Sequence, residues 1–329
     1  MSVEHQDLIS LLKSQIPVNK KLIVAVSGGV DSTALLLGLS QIREEYSLSL
    51  IVAHINHRLR DEAEVEERFV ASLAKHLGLS FELKVCSSPP QVNIESWGRA
   101  ERYGFLNGLR EKHQADYIVT AHHSEDLVET LLIKLLQNRE LNVMQVRDDD
   151  RQLLRPLIGL RKDSLKFFLA SNKQDYHEDY SNTDSKFLRN RIRHQLSPFL
   201  ADLMGTDTTM ILEKQAKVVH ELNSLADFEV SREIKDLEQV NFGDSFSSDH
   251  INAVLALSDR SWLLGFKAID RIFLPAFGFY LGHKIASRAL RVFHQTEKSV
   301  NLPGDTCLIW DRGRLFLRKQ SLCSSAKKC

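Results

Sequence analysis

Cysteine is scarce in this chain of 329 residues: four stand at Cys86, Cys307, Cys323 and Cys329, with no CxxC pair. That excludes a disulfide framework and argues against a zinc ribbon, a dithiol redox site or a simple iron–sulfur site. Net charge is missing as well, because 43 Lys and Arg balance 43 Asp and Glu. No bulk positive field draws in a polyanion, so a nucleic-acid partner would need local patches. No apolar run approaches the roughly 20 residues of a membrane span. The first fifteen residues carry early acids and no signal-like apolar stretch, so a cytoplasmic protein away from membranes is expected. Repeats and low-complexity tracts are also absent. What remains is globular: 43% hydrophobic and 26% charged, which excludes disorder, collagen and coiled coil. The length suits roughly two domains of about 150 residues.

The first half alternates between two hydrophobic periods. Leu22, Ile23, Val24, Ala25 and Val26 form a continuous apolar run that ends in Ser-Gly-Gly, which reads as a buried strand leading into a helix over 31–39. Strands are expected at 48–54, 81–85 and 116–121. Helices are expected at 61–77, where Val65, Phe69, Leu73 and Leu77 share a face, at 93–109 behind Asn93 as N-cap, and at 125–136. This alternation predicts an α/β fold with a doubly wound parallel sheet. Ligands on such sheets sit beyond the carboxyl ends of the strands, which singles out 27–32, 54–60 and 120–129. After residue 140 the pattern changes. A charged turn is expected at 147–151, a helix at 161–172, a polar loop at 177–184 and a helix at 186–199. Mainly helical segments follow at 210–237, 249–257 and 258–293, and a small hairpin at 300–317 around Pro303-Gly304 and Arg312-Gly313. A boundary near residue 205 divides a catalytic domain, 1–205, from a mainly helical second domain, 206–329.

Ser27, Gly28, Gly29, Val30, Asp31 and Ser32 lie between the first strand and its helix. Paired glycines let backbone N–H groups converge on an anion, and the helix N-terminus adds partial positive charge. Asp31 can hold a divalent cation. The lysine of a Walker A loop is missing, so this is another kind of phosphate loop. The bland reading is a tight turn capped by Ser or Asp.

Other clusters have similar double readings. His54 and His57 are three apart and can contact nucleotide or RNA, or simply shape a loop; a metal pair lacks an obvious third ligand. Arg99 and Arg102 share a helix face and can meet a phosphate or base, although Glu95 before Arg99 also suits a surface ion pair. His122, His123, Asp126 and Glu129 leave the fourth strand beside the loop. Asp126 and Glu129 can face one cleft and suit an incoming amine or a metal; acids at a helix start also favour the dipole. Lys186, Arg189, Asn190 and Arg193 form a basic stripe, either a solvated face or a reader of phosphates and base edges.

The motif Ser-Gly-Gly-Val-Asp-Ser after a hydrophobic strand resembles the signature of the ATP pyrophosphatase (PP-loop) family. Four further segments resemble motifs of the bacterial tRNA(Ile)-lysidine synthase branch, in order over residues 22–199. They are HINHRLR from His54, NIESWGRAERY from Asn93, TAHHSEDLVET from Thr120, and EDYSNTD from Glu178 followed by Arg189-Asn190-Arg191-Ile192-Arg193. The Leu302-Pro303-Gly304 stretch resembles the end of that family's first C-terminal domain. By this resemblance, residues 206–329 are expected to correspond to the first such domain, in a form without the second one of long members.

The resemblance implies that ATP binds at 27–32, with magnesium near Asp31. It further implies that His123, Asp126, Glu129, Arg99 and Arg102 serve lysine or other substrate chemistry, and that His57, Asn182, Arg189, Asn190 and Arg193 contact an isoleucine tRNA with a CAU anticodon. Cytidine adenylation and lysine ligation would follow, releasing pyrophosphate and AMP and changing the identity from Met to Ile. A homodimer stays open as an assembly. Glu125 stands where the motif has its first Asp, Leu127 where it commonly has Gln, and Gly98 where it has Ala. Gln137-Asn138-Arg139-Glu140 replaces the usual Arg-Gly-Ser-Gly turn. The rivals are a tRNA thiolase, a small-molecule amide synthetase and a non-catalytic RNA-binding module. The first typically needs paired cysteines, the second would lack the basic stripe, and the third has no need of Asp31 or the Asp126/Glu129 pair.

The zero net charge hides an uneven distribution. Acids crowd 61–67 and 148–150, and bases crowd 186–193 and 312–328.

Overall fold

The computed structural model describes residues 7–58, 63–87, 90, 92, 94–137, 143–177, 188–233, 248–261, 264–265, 267–269, 283–302, 306–311 and 314–319. It separates into two compact units. One comprises Met1–Thr130 and Met144–Lys214, the other Leu131–Val143 and Gln215–Cys329.

The first unit is built on a six-stranded sheet. Its strands are β1 (Lys21–Ala25), β2 (Ser49–Asn56), β3 (Ser80–Val85), β4 (Tyr117–Val119), β5 (Arg147–Asp148) and β6 (Leu153–Leu154). The order is β3-β2-β1-β4-β6-β5, parallel except for the antiparallel β5–β6 pair. Helices α1 (Leu8–Gln15), α2 (Val30–Ile42), α3 (Ala63–His76), α4 (Ile94–Lys112), α5 (Ser124–Leu136) and α6 (Lys162–Ser171) accompany them. Alternation along β1 sorts the two faces. Leu22 and Val24 pack with residues of α1, α2, α3 and α6, whereas Ile23 packs with Leu106 and Leu109 of α4. Gly38 lets α1 dock on α2, since a Cβ there would stand 2.6 Å from Leu12 Cδ1. The expected charged turn at 147–151 contains β5, because Arg147 and Asp148 pair with Leu154 and Leu153.

The chain leaves β1 toward β2 on one side and later reaches β4 on the other, so the order reverses between β1 and β4. A doubly wound sheet opens its ligand crevice at that point. The segments following β1 and β4, at 27–32 and 120–129, both emerge there.

Beyond α6 come α7 (Leu188–Arg191), a π turn (Ile192–Leu196), α8 (Ser197–Met204) and the long α9 (Thr208–Glu233). The division between units falls inside α9. The second unit continues with α10 (Ser248–Arg260), α11 (His283–Phe293) and strands β7 (Ser299–Leu302), β8 (Thr306–Asp311) and β9 (Arg314–Lys319). α10 runs through the expected helix boundary at 257–258 and ends at Arg260. The expected hairpin is a three-stranded antiparallel sheet, which buries Val300, Leu302, Leu308, Leu315 and Leu317 against Leu290 and Phe293 of α11. No described helix is long and apolar enough to cross a membrane.

Candidate active site

The loop after β1 gathers donors onto one point. Ser32 Oγ accepts hydrogen bonds from Ser27 N at 3.1 Å and Gly28 N at 3.2 Å and donates to Gly29 O at 3.2 Å. Gly28 has φ +96°, and a Cβ there would meet Val70 Cγ2 at 3.3 Å. Glycine alone suits that position. Gly29 is the N-cap of α2, Val30 is buried as its first residue, and Asp31 stands in its first turn. Ser27 N and Gly28 N thus converge on the Ser32 hydroxyl at the N-terminus of α2, and an anion that displaced that hydroxyl would meet the same donors.

Asp31 faces the segment after β4. His123 Nε2 lies 3.5 Å from Asp31 Oδ2 and 3.5 Å from Asp126 Oδ2, while Nδ1 hydrogen-bonds Glu125 Oε2 at 2.8 Å. The ring is almost fully buried. Burial opposes its charge, but the hydrogen bonds to Asp31 and Glu125 and the charges of Asp126 and Asp31 outweigh it, holding the pKa up to about 10. His123 is thus an imidazolium. Glu125 also accepts Lys162 N at 3.2 Å, which ties the start of α5 to the start of α6. Lys162 Nζ stands 4.0 Å from Asp31 Oδ2.

Arg193, from the π turn, closes the other side of α5. Its Nε donates to Glu129 Oε1 at 2.6 Å, and its Nη2 to Glu129 Oε2 at 3.1 Å and Asp126 Oδ1 at 3.3 Å. Arg189 places Nε 3.5 Å from Glu129 Oε2 and Nη2 3.1 Å from Thr130 Oγ1. Burial pushes the Glu129 carboxyl up against the pull of these guanidiniums. Asp126, where burial is outweighed by the His123 charge, is held below the ordinary carboxylate range. Among the described residues, Asp31, Glu125, Asp126 and Glu129 therefore face the cations His123, Arg161, Lys162, Arg189 and Arg193.

His122 points to different company. Its Nδ1 lies 2.9 Å from Thr120 Oγ1. Burial, then the charges of Arg155, Arg189 and Arg102, take its pKa down to about 4 against the pull of Asp126. It is a neutral imidazole.

The structure thus brings Asp31, His123, Asp126, Glu129, Arg189 and Arg193 together. Arg189 and Arg193 turn inward to the carboxylates of α5 and are not a solvated stripe. Asn190 is half-buried on α7. Arg99 and Arg102 are exposed on α4, with Arg99 over the Tyr103 ring at 4.9 Å. His54 binds Val26 O through Nδ1 at 2.8 Å and ties β2 to β1. His57 packs edge-on against Trp97 and lies 3.6 Å from Cys86 Sγ, separate from the carboxylates. Among the described residues no group of three or more potential ligands could hold a metal. Asn182, Lys186 and the side chain of Glu95 lie outside the described residues.

Sequence reasoning missed Lys162 and Arg155. Arg155 directly follows β6, and that position at a strand's carboxyl end was the available signal.

Comparison with known proteins accords with this geometry. The PP-loop domain family model (ATP_bind_3) matches residues 2–200. A tRNA(Ile)-lysidine synthase of Persephonella marina is 28% identical over 96% of this chain and 70% of its own length. That of Mycoplasma mycoides is 30% identical over 92% of this chain and 75% of its length, and that of Lactobacillus gasseri 35% identical over 71% and 56%. The chain thus spans little more than half of some relatives and about three quarters of others. A solved U34-tRNA thiolase from Methanococcus maripaludis, bearing a 4Fe–4S cluster, shares the fold with TM-score 0.56 at 12% identity, over 65% of this chain and 78% of that one. With its phosphate loop at the switch point of the sheet and these relatives, the chain belongs to the PP-loop family, in its tRNA(Ile)-lysidine synthase branch.

Proposed function

We propose that this chain ligates L-lysine to C2 of the wobble cytidine in an isoleucine tRNA with a CAU anticodon, at the expense of ATP. The observation behind this reading is the meeting of an anion cradle, residues 27–32, with the Asp31–His123–Asp126 cluster at one crevice. The loop N–H groups hold the triphosphate. The cytidine O2 attacks the α-phosphorus and pyrophosphate leaves. The side-chain amine of lysine then attacks C2, and the oxygen departs with AMP. A ring carbonyl oxygen is a poor leaving group; as part of AMP it is a good one.

Asp126 and Glu129 retain lone pairs beyond those engaged by Arg193 and His123, and these suit the substrate ammonium. Attack needs that ammonium deprotonated, which a neighbouring carboxylate assists. His123, as a fixed cation, balances the neighbouring carboxylates and keeps Asp126 ionised.

Asp31 Oδ1 is buried and makes no hydrogen bond among the described residues, which suits a hard divalent cation. With no three-residue ligand group nearby, the remaining ligands of magnesium would be phosphate oxygens and water. Bound there, magnesium supplies neutralisation of phosphate charge. Arg189, Asn190 and Arg193, together with Arg99, Arg102, His57 and Asn182, are the residues proposed to meet the RNA.

ATP labelled in its terminal phosphates tests the reading. Pyrophosphate release that requires the CAU transcript is expected. Release of orthophosphate, or of pyrophosphate equally well without RNA, would contradict it.

A further inference from the structure

Arg155 is assigned no role by the reaction above, yet it is the most buried arginine beside the crevice, 6% exposed. It follows β6, and the pairing of Val119 with Leu154 sets it level with Thr120 at the carboxyl end of β4. Thr120 N donates to Leu154 O at 3.0 Å, and Thr120 Oγ1 contacts the neutral His122. The guanidinium has modest partners. Nη1 donates to Gln145 O at 3.0 Å, and Nη2 stands 3.9 Å from Asp148 Oδ2, which lies closer to Arg151. Nε is buried and makes no hydrogen bond among the described residues; the same holds for Arg189 Nε. A buried guanidinium without a close carboxylate is costly unless an anion joins it.

The crevice is therefore polarised. Asp31, Asp126 and Glu129 line one part, Arg189, paired with Glu129, stands at its border, and neutral His122, which feels the charges of both Arg189 and Arg155, begins the next. Arg155 lies two strands from the phosphate loop, about 10 Å by ordinary strand spacing. Its guanidinium contacts Gln145 O and Asp148, on the β5 side of the sheet, which is the side away from residues 27–32. A small planar anion matches the guanidinium fork, and a guanidinium this buried is reached by a small molecule more readily than by an RNA backbone.

We propose that Arg155, backed by Arg189, binds the α-carboxylate of the amino-acid substrate and so selects free lysine over a bare diamine. This rests on the reading that lysine is the substrate. A lysine laid across the crevice presents its amine to the carboxylates of α5 and its carboxylate to Arg155.

The test compares L-lysine with cadaverine, the same amine lacking the carboxylate, in equilibrium binding by calorimetry and in transfer to the CAU transcript. Wild type prefers lysine. Arg155→Met weakens lysine binding and raises its KM by about 10- to 100-fold, as expected for a lost charge-assisted bond, and leaves cadaverine unchanged. Arg155→Lys, which keeps the cation, restores part of the preference. Equal losses for both amines would make Arg155 purely structural and overturn the proposal. So would an intact lysine preference with weakened, less salt-dependent RNA binding, which would assign Arg155 to a phosphodiester. If lysine binds the wild type in an Arg155-dependent way but never enters RNA, the functional reading fails and this one stands. If lysine neither binds nor enters RNA, both fall.

Discussion

His122 and His123 are neighbours in the chain and hold opposite charge states, the first neutral with a pKa near 4 and the second charged with a pKa near 10. One ring sits among guanidiniums, the other among carboxylates. The boundary between the basic and acidic parts of the crevice passes between two consecutive residues.

The ring of His122 is expected to stay neutral in the folded protein as pH falls well below 6.5, the ordinary value for histidine. Its folded pKa is depressed, so the unfolded chain takes up the proton first. The associated stability is complete above about 6.5 and is lost as pH falls toward 4. Ring nitrogen shifts in NMR should show no protonation of His122 near pH 5.5. A midpoint close to 6.5 would refute the assignment.

Arg193→Leu leaves Glu129 buried, with Arg189 as its one remaining cation among the described residues. Removing one partner of a buried pair typically costs about 3–5 kcal/mol, read as a lower urea midpoint. The double replacement Arg193→Leu with Glu129→Leu should recover part of that loss, because the buried Glu129 carboxylate is no longer stranded, although Arg189 and Asp126 each lose a partner. A single variant as stable as wild type would mean that the pair contributes nothing to the fold.

Gly28→Ala forces a Cβ onto a residue with φ +96° and against Val70. The strain should cost about 1–2 kcal/mol and disturb the loop N–H groups. ATP binding, followed by fluorescence of a labelled nucleotide, should weaken more than RNA binding. Unchanged nucleotide affinity would show that the cradle is elsewhere.

Asp31→Asn keeps the shape of the side chain but removes the charge that faces His123 and Lys162. Pyrophosphate release should disappear while tRNA is still retained on a filter. Near-normal release would show that Asp31 holds no catalytic cation.

Much of this was legible in the order of residues. The run from Leu22 to Val26 and its Ser-Gly-Gly ending mark β1 and its loop, because a fully buried parallel strand has no polar alternation. The segment from Thr120 to Glu129 was legible as well, since it leaves a strand and enters a helix. Arg155 was not, because only the β4–β6 register brings it level with Thr120. The inward turn of Arg193 was equally hidden. Its partner Glu129 lies 64 residues away in sequence. β5 and β6, two residues each, are too short to show any period.

The central claim is most directly tested by incubating the purified protein with ATP, labelled lysine and an unmodified isoleucine tRNA transcript bearing CAU. The account predicts that label enters the RNA at the wobble cytidine, and that a transcript with another base at that position takes up none. A folded protein that binds ATP and the transcript yet transfers no lysine would contradict it.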